Sequence, residues 1–240
     1  MSVPIPLQPA NLLGYLRFVL LLLAYSLAPS SPHSFALLFW ASVALGALDG
    51  SLARLLKQES FYGAQLDILV SRFATTSLIF VVLKLGVTQI GDESERMSFS
   101  LFFGTLFLSD FVSAWFQVYS AYLLDEEPHK TPNAFLSFAL GVLRIPMVNF
   151  AMCGLSELYV FTYYVSFFPK EFASVINHPQ YNLIVWIAAA GILLKNIHNV
   201  IHLYVSSIRI VKLDVAQKNA QATPAKATVS SKPNSSKKKQ

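Results

Sequence analysis

Long apolar stretches constrain the fold of this chain more than any other feature of its sequence. They cover residues 12–28, 34–53, 66–87, 99–123, 135–168 and 181–205. A helix of about 20 apolar residues crosses the hydrocarbon layer of a bilayer. Within lipid, the backbone polar groups must be paired inside each segment, so each stretch should be α-helical. We therefore predict an all-α integral membrane protein with six transmembrane helices, the fifth being one long or broken helix.

The composition agrees with a chain that lies largely in a membrane. Hydrophobic residues make up 54% of the sequence and charged residues only 13%, whereas about a quarter of the residues in soluble domains are charged. These values argue against a cytosolic globular enzyme, a disordered chain and a protein that binds nucleic acid with a basic folded face. The lipid bilayer is therefore the first partner that the sequence predicts.

The positions of lysine and arginine predict the orientation, because cytosolic loops of membrane proteins carry an excess of these residues. If the N-terminus is cytosolic, the basic residues on the cytosolic side include Arg54, Lys57, Lys130, Arg209 and Lys212. The basic residues on the opposite side are then Lys84, Arg96 and Lys170. Six spans with both termini in the cytosol fit this distribution.

The C-terminal segment differs from the rest of the chain. Residues 212–240 contain seven lysines and one aspartate, more positive charge than the net +5 of the whole chain. Their Ala, Ser, Thr, Pro and Lys content is typical of disorder, so we expect a membrane domain over 1–211 and a disordered basic cytosolic tail over 212–240. The ending Lys237-Lys238-Lys239-Gln240 resembles a dilysine retrieval signal of the endoplasmic reticulum. A basic strip attracted to anionic lipid is the alternative interpretation.

Ionisable residues collect where the second apolar stretch ends and the third begins. Asp49, Gly50 and Arg54 come just before the connection, and Gly63 and Asp67 come just after it. Carboxylates at facing helix ends can bind a hard divalent cation, and an arginine fork suits phosphate oxygens. The pattern predicts a site for a metal-bound diphosphate at the bilayer surface. The alternative is a set of ion pairs in which Arg54 and Arg72 neutralise the carboxylates.

This segment resembles the signature of the CDP-alcohol phosphatidyltransferases, Asp-Gly-x2-Ala-Arg-x8-Gly-x3-Asp. The matching residues are Asp49, Gly50, Ala53, Arg54, Gly63 and Asp67. Flanking segments are similar to the phosphatidylinositol synthase branch of that family, namely Asn11–Arg17, Ser109–Trp115, Cys153–Leu158 and Lys195–Leu203. The resemblance covers nearly the whole chain except the tail.

The resemblance implies a transferase of phospholipid biosynthesis in the endoplasmic reticulum membrane. In the family reaction, a hydroxyl of myo-inositol attacks the β-phosphorus of CDP-diacylglycerol, giving phosphatidylinositol and CMP. It implies that Asp49 and Asp67 bind Mg²⁺ or Mn²⁺. The residues implied for CDP-diacylglycerol are Gly50, Arg54, Ser60 and Gly63. Since family members are dimers, a homodimer or a heterodimer with a relative is also expected.

Two positions depart from the family pattern of four aspartates. Gly46 replaces the first aspartate, and Ser71 replaces the last one, which is taken to be the catalytic base. Loss of a positioned base costs about 10²- to 10⁴-fold in rate. The chain is therefore either an active synthase with a rearranged site or a catalytically inactive paralogue that binds CDP-lipid or regulates an active synthase. A small transporter that uses the buried charges as a pathway is a third alternative.

A further pair of charges lies in the fifth apolar stretch. Arg144 and Glu157 can form an ion pair inside the membrane or contact an inositol hydroxyl. The pair avoids a charge that faces lipid, which is the more costly arrangement.

Overall fold

The computed structural model describes residues 4–124, 141–142 and 145–222, and these residues form helices without any strand. After a short 3₁₀ helix at Ile5–Leu7, the α-helices are α1 Pro9–Leu27, α2 Pro32–Leu55, α3 Phe61–Gln89, α4 Glu93–Leu124, α5 Pro146–Ser166, α6 Ala173–Ile176 and α7 Tyr181–Ala222. The all-α class predicted from the sequence is confirmed.

Five of the described helices are long and apolar enough to cross a membrane. They comprise α1, α2, α3, residues Glu93–Ser120 of α4 and residues Tyr181–Asn219 of α7. Helix α5 is not among them; its 21 residues include Asn149, Glu157 and several tyrosines. The chain is therefore a multi-pass membrane protein by helix length and composition, and the sixth span stays a prediction. Part of the predicted 135–168 span, residues 135–140 and 143–144, lies outside the described residues.

The last helix is longer than the composition suggests. Helix α7 continues to Ala222, past residue 211, where we expected the folded domain to end. Residues 212–222 contain Ala, Gln, Lys and Leu, which favour a helix once one has started. The remainder of the predicted tail, with its lysines near the C-terminus, lies outside the described residues.

Local sequence signals explain the helix ends that form the site. Proline occupies the first turn of α1, α2 and α5, where its missing N–H is not needed. At the end of α2, Lys57 has a φ of 52°, and the Gln58 N–H donates to the Ala53 carbonyl at 2.9 Å. This is the left-handed residue and hydrogen bond of a Schellman motif. The turn reverses the chain, so the end of α2 lies beside the start of α3.

Helix α3 is the central element of the bundle. It contacts α1, α2, α4 and α5, while α7 packs against α4 and α5. Aromatic side chains fill the interior near the start of α2, where Phe35, Phe39, Phe161 and Tyr164 pack together. The Tyr164 hydroxyl donates to the Ala28 carbonyl at 2.7 Å. This apolar core lies at the opposite end of α2 from Asp49, and it leaves the polar residues of α2 and α3 together at the other end.

Candidate functional site

The residues predicted to bind a metal and CDP-diacylglycerol line one open cleft between α1, α2 and α3, with a volume of about 240 Å³. The motif residues in its wall are Asp49, Gly50, Ala53, Arg54, Gly63 and Asp67, together with Ser60. The end of α2 supplies the first four and the start of α3 supplies the others. The structure therefore brings the predicted cation and CDP-lipid residues together, although their roles stay predictions.

The two motif aspartates of the cleft lie in different environments. Asp49 is buried, with 7% of the residue exposed, and its Oδ1 accepts a hydrogen bond from the Gly50 N–H at 2.6 Å. The side chain of Asp67 is 51% exposed. Of the two motif aspartates, only Asp67 thus presents a largely open carboxylate to the cleft.

Arg17 of α1 joins these two carboxylates. Its Nη1 donates to Asp49 Oδ2 and to Asp67 Oδ1, the latter at 2.8 Å. Its Nη2 donates to Ser71 Oγ at 3.2 Å, and its Nε donates to the Ser42 carbonyl at 3.2 Å. Only 4% of Arg17 is exposed, so the guanidinium is held on all sides. We call Arg17, Asp49, Asp67, Gly46 and Ser71 the Arg17 site.

Both positions that depart from the family pattern contact this guanidinium. Ser71 Oγ accepts from Arg17 and also donates to Asp67 Oδ1 at 3.3 Å. A Cβ added at Gly46 would lie 2.5 Å from Arg17 Nη2 and 2.7 Å from Arg17 Cζ. Since real Cβ atoms do not approach that closely, any side chain at position 46 would displace Arg17. The two departures and the place of Arg17 therefore belong to one arrangement.

Local hydrogen bonding and helix packing account for two other predicted CDP-lipid residues, Ser60 and Gly63. Ser60 is the N-cap of α3, and its Oγ accepts from the Gly63 N–H at 3.0 Å. A Cβ at Gly63 would lie 2.6 Å from Asn11 Oδ1, so glycine lets α3 approach α1 closely. A Cβ at Gly50 would meet only Arg54 Nη1, at 3.7 Å. Packing therefore requires glycine at position 63 but does not require it at position 50.

Arg54 is exposed in the cleft wall, and its Nη2 donates to Ser51 Oγ at 3.4 Å. Its guanidinium does not pair with Asp49 or Asp67; Arg17 pairs with both. Arg72, the other partner that we considered from the sequence, pairs with Asp110 of α4. The alternative in which Arg54 and Arg72 neutralise the two carboxylates is therefore wrong. Arg17, a charge inside the first apolar stretch, needed a partner and was the signal that could have identified the correct pairing.

A second polar group, the Asp110 cluster, lies between α3, α4 and α7 and comprises Asp110, Arg72, Lys195 and Asn199. Asp110 Oδ1 accepts from Arg72 Nη1 at 2.5 Å, from Lys195 Nζ at 3.2 Å and from Asn199 Nδ2 at 3.4 Å. These bonds join α3, α4 and α7. The cavity beside them measures only about 10 Å³. The sequence pattern did not predict that Asp110 pairs with Arg72 and Lys195.

Glu157 of α5 is buried near the same helices, and its Oε1 accepts from Thr75 Oγ1 at 3.0 Å. Thr75 Oγ1 also lies 3.3 Å from the Ser71 carbonyl. Hydrogen-bonding groups of α3 therefore extend from Ser71 of the Arg17 site to Glu157. Arg144 lies outside the described residues, and its predicted pairing with Glu157, or the contact of either residue with inositol, stays a prediction.

The donor set does not fit the metal site that the family signature implies. Two carboxylates are present where that signature has four, and both are already bound to Arg17. Within residues 4–124, 141–142 and 145–222, no three His, Cys, Asp or Glu side chains converge as metal ligands. Proteins bind Mg²⁺ through one or two carboxylates together with water and substrate phosphates, but here the Arg17 guanidinium already occupies both motif carboxylates.

Comparison with known proteins identifies the family. The sequence model of the CDP-alcohol phosphatidyltransferase family matches residues 7–168. The CDP-diacylglycerol–inositol 3-phosphatidyltransferase of Rattus norvegicus is 30% identical over 214 residues, which are 87% of this chain and 93% of that protein. The Homo sapiens enzyme of the same name is 29% identical over 214 residues, with the same coverage.

More distant relatives carry the same name. The CDP-diacylglycerol–inositol 3-phosphatidyltransferase of Saccharomyces cerevisiae is 25% identical over 177 residues, which are 71% of this chain and 76% of that protein. No solved structure matches the chain. The family model covers more than half of the sequence, and its range includes every residue that lines the cleft. This chain therefore belongs to the CDP-alcohol phosphatidyltransferase family and resembles its phosphatidylinositol synthases.

Proposed function

We propose that this chain is a phosphatidylinositol-synthase-like membrane protein that binds CDP-diacylglycerol in the cleft between α1, α2 and α3 and transfers its phosphatidyl group weakly or not at all. The observation that supports this proposal is the position of Arg17. Its guanidinium binds Asp49 and Asp67 and contacts both of the positions at which the family aspartates are replaced. The cleft beside it remains open.

The cleft offers positive groups for a diphosphate. Arg54 is exposed in its wall, and a guanidinium can bind two phosphate oxygens at once. Ser60, Gly63 and Ala64 at the start of α3 line the same cleft, and the positive end of the helix dipole there attracts anions. Gly50 adds no side chain to the wall, so the backbone there can approach a bulky nucleotide.

Transfer to inositol requires groups that the Arg17 site lacks. In the family reaction the inositol oxygen forms a bond to the β-phosphorus, CMP leaves, and a base takes the hydroxyl proton. Ser71 stands at the position of that base, but its hydroxyl accepts from Arg17 and donates to Asp67. A serine alkoxide is far too basic to be present at neutral pH, and absence of a base costs about 10²- to 10⁴-fold.

An active synthase with a rearranged site is the second candidate, and one observation favours it. Glu59 lines the same cleft as Asp67, so a third carboxylate is available near the two motif aspartates. In this case Glu59 would act as the base, and Mg²⁺ or Mn²⁺ would have to displace Arg17 from Asp67.

The remaining expectations form part of the same proposal. We expect six spans with both termini in the cytosol, a domain over residues 1–211, and location in the endoplasmic reticulum membrane. We also expect a dimer, formed either by two copies of this chain or by this chain and an active relative that it regulates. Myo-inositol is the acceptor implied by the similarity to phosphatidylinositol synthases.

The test uses the full chain expressed in cells that lack their own synthase. Membranes are assayed for binding of labelled CDP-diacylglycerol and for Mn²⁺-dependent transfer to labelled inositol. We expect specific binding without transfer in wild type, and transfer in the Gly46→Asp/Ser71→Asp variant. The matched control is Asp214→Asn, an exposed carboxylate of α7 outside the cleft.

Each result separates the candidates. Transfer by wild type that disappears in both Asp67→Ala and Glu59→Gln would establish the active synthase instead. Absence of specific CDP-diacylglycerol binding in wild type, with normal expression, would contradict the proposal altogether.

A further inference from the structure

Arg17 occupies the point at which a cation would bridge the carboxylates of the cleft. A single nitrogen, Nη1, donates to both Asp49 Oδ2 and Asp67 Oδ1. We infer that the Arg17 guanidinium is a built-in cation of this site, so that the free protein binds no divalent metal at Asp49 and Asp67 and holds CDP-lipid without one. This inference rests on the CDP-lipid binding proposed above and specifies how the site works.

The guanidinium is fixed rather than loosely placed. Besides the two carboxylates, Nη2 donates to Ser71 Oγ and Nε donates to the Ser42 carbonyl, while Ser42 Oγ donates back to the Arg17 carbonyl at 3.1 Å. The Arg17 side chain is 5% exposed and that of Asp49 is 9% exposed. A group with this many partners, shielded from water, does not exchange freely with solvent cations.

The space for the guanidinium depends on the two departures from the family signature. Gly46 provides room because it has no Cβ, and an added Cβ would lie 2.5 Å from Nη2. Ser71 provides a neutral acceptor, whereas an aspartate there would bring a third carboxylate to the same cation. An aspartate at position 46 would force Arg17 out of its place. Both replacements therefore favour a guanidinium inside the site, and both remove a carboxylate that could bind a metal ion.

A divalent metal would have to compete with this arrangement. An ion that bridges Asp49 and Asp67 must lie near Nη1, so Arg17 would have to leave and its buried charge would lose both carboxylates. The metal would also repel the displaced guanidinium at short range. The metal-free cleft still has cationic groups for a diphosphate, since Arg54 and the start of α3 line it and lie apart from the carboxylate bridge.

The first experiment measures Mn²⁺ binding to the purified full chain in lipid nanodiscs by electron paramagnetic resonance. We expect no bound Mn²⁺ in wild type. Arg17→Gln frees the carboxylates, and Gly46→Asp/Ser71→Asp restores the acidic ligands, so both should bind Mn²⁺, with a Kd about tenfold or more below the highest Mn²⁺ concentration at which wild type shows no binding. Gly46→Ala should give a smaller gain, because its Cβ displaces Arg17 without adding a ligand. Arg96→Gln, an arginine of α4 outside the cleft, should match wild type.

The Gly46→Ala variant keeps every charge, so it provides a second test that does not depend on whether Arg17→Gln folds. If Arg17→Gln fails to fold, a gain of Mn²⁺ binding in Gly46→Ala still supports the inference, and wild-type behaviour in a folded Gly46→Ala contradicts it. Mn²⁺ bound to wild type and lost in Asp67→Asn would overturn the inference directly.

The second experiment measures binding of CDP-diacylglycerol to the same nanodiscs in EDTA and in Mn²⁺. We expect equal affinity in both conditions for wild type. Binding that is lost in EDTA would overturn the inference while leaving CDP-lipid binding intact. Absence of CDP-lipid binding in both conditions would contradict the proposed function instead, and the Mn²⁺ measurements would still decide the role of Arg17.

Discussion

The Arg17 site and the Asp110 cluster contain similar charged groups in opposite proportions. In the Arg17 site one guanidinium binds two carboxylates beside a cleft of about 240 Å³. In the Asp110 cluster one carboxylate binds two cations beside a cavity of about 10 Å³. The first combination leaves an acidic group facing open space, where a ligand can enter. The cavity beside the second accommodates only about one water molecule.

This difference indicates separate roles for the two groups. The bonds of Asp110 join three helices, α3, α4 and α7, and Asp110 itself is 5% exposed. The Arg17 site joins α1, α2 and α3 at the end where the cleft opens. We therefore expect changes in the Asp110 cluster to act mainly on stability, and changes in the Arg17 site to act mainly on ligand and cation binding.

The largest stability effect is expected for Asp110→Asn. The substitution leaves Arg72 and Lys195 without their carboxylate, and the Lys195 side chain is only 5% exposed. Removal of one member of a buried ion pair destabilises a protein by about 3–5 kcal/mol. The free energy of unfolding can be measured by SDS titration of the purified chain, followed by tryptophan fluorescence.

Asp92→Asn is the matched control for this change. Asp92 is exposed, and its Oδ2 accepts from the Glu95 N–H at the start of α4. Asparagine can accept the same hydrogen bond, so the control should stay within about 0.5 kcal/mol of wild type. A loss below about 1 kcal/mol in Asp110→Asn, or a loss of CDP-lipid binding without a loss of stability, would remove the distinction between the two groups.

A smaller stability effect is expected for Asp49→Asn. Asp49 is buried, but Arg17 would keep its bonds to Asp67, Ser71 and Ser42. The expected loss is therefore about 1–3 kcal/mol, the usual range for an impaired buried hydrogen bond. The same SDS titration measures it. A loss as large as that of Asp110→Asn would mean that Arg17 depends on Asp49 alone, and that the guanidinium is not held by its other partners.

The sequence predicted the parts of the molecule that depend on local patterns. Apolar stretches gave the all-helical membrane class, and the spacing from Asp49 to Asp67 correctly placed both residues in one cleft. Helices α1, α2 and α3 start a few residues before the predicted spans, and their starts at Pro9, Pro32 and Ser60 follow known preferences for proline and for capping side chains. These features are decided by residues close to one another in the chain.

The choice of ion-pair partners could not be read in the same way. Arg17 lies 32 residues from Asp49 and 50 residues from Asp67, and Arg72 lies 38 residues from Asp110. Several cations were available to each carboxylate, and Arg54 was nearer in sequence. The pairing depends on how α1 packs against α2 and α3 and on the room beside Gly46. Those are properties of packed helices, which periodicity alone does not provide.

A third prediction concerns the start of α3, where stability and binding should change together. Ser60→Ala removes the hydroxyl that accepts from the Gly63 N–H, and loss of an N-cap costs about 1 kcal/mol. Since Ser60 also lines the cleft, affinity for CDP-diacylglycerol should fall as well. Ser98→Ala is the control, because Ser98 is exposed on α4 and bonds only its own helix. Weaker stability with unchanged CDP-lipid affinity would show that α3 does not hold the diphosphate.

The smallest stability effect is expected for Asp67→Asn, although Asp67 binds the same Nη1 as Asp49. Its side chain is 51% exposed, so water screens its attraction to Arg17, and exposed ion pairs contribute about 0–1 kcal/mol. Asparagine can still accept a hydrogen bond from Nη1, which reduces the loss further. SDS titration beside Asp49→Asn gives the comparison within one site. If the two variants lose equal stability, the exposed carboxylate is as strongly tied to the fold as the buried one. Asp67 would then not be free to respond to a ligand, and the contrast between the Arg17 site beside its large cleft and the Asp110 cluster beside its small cavity would fail at Asp67.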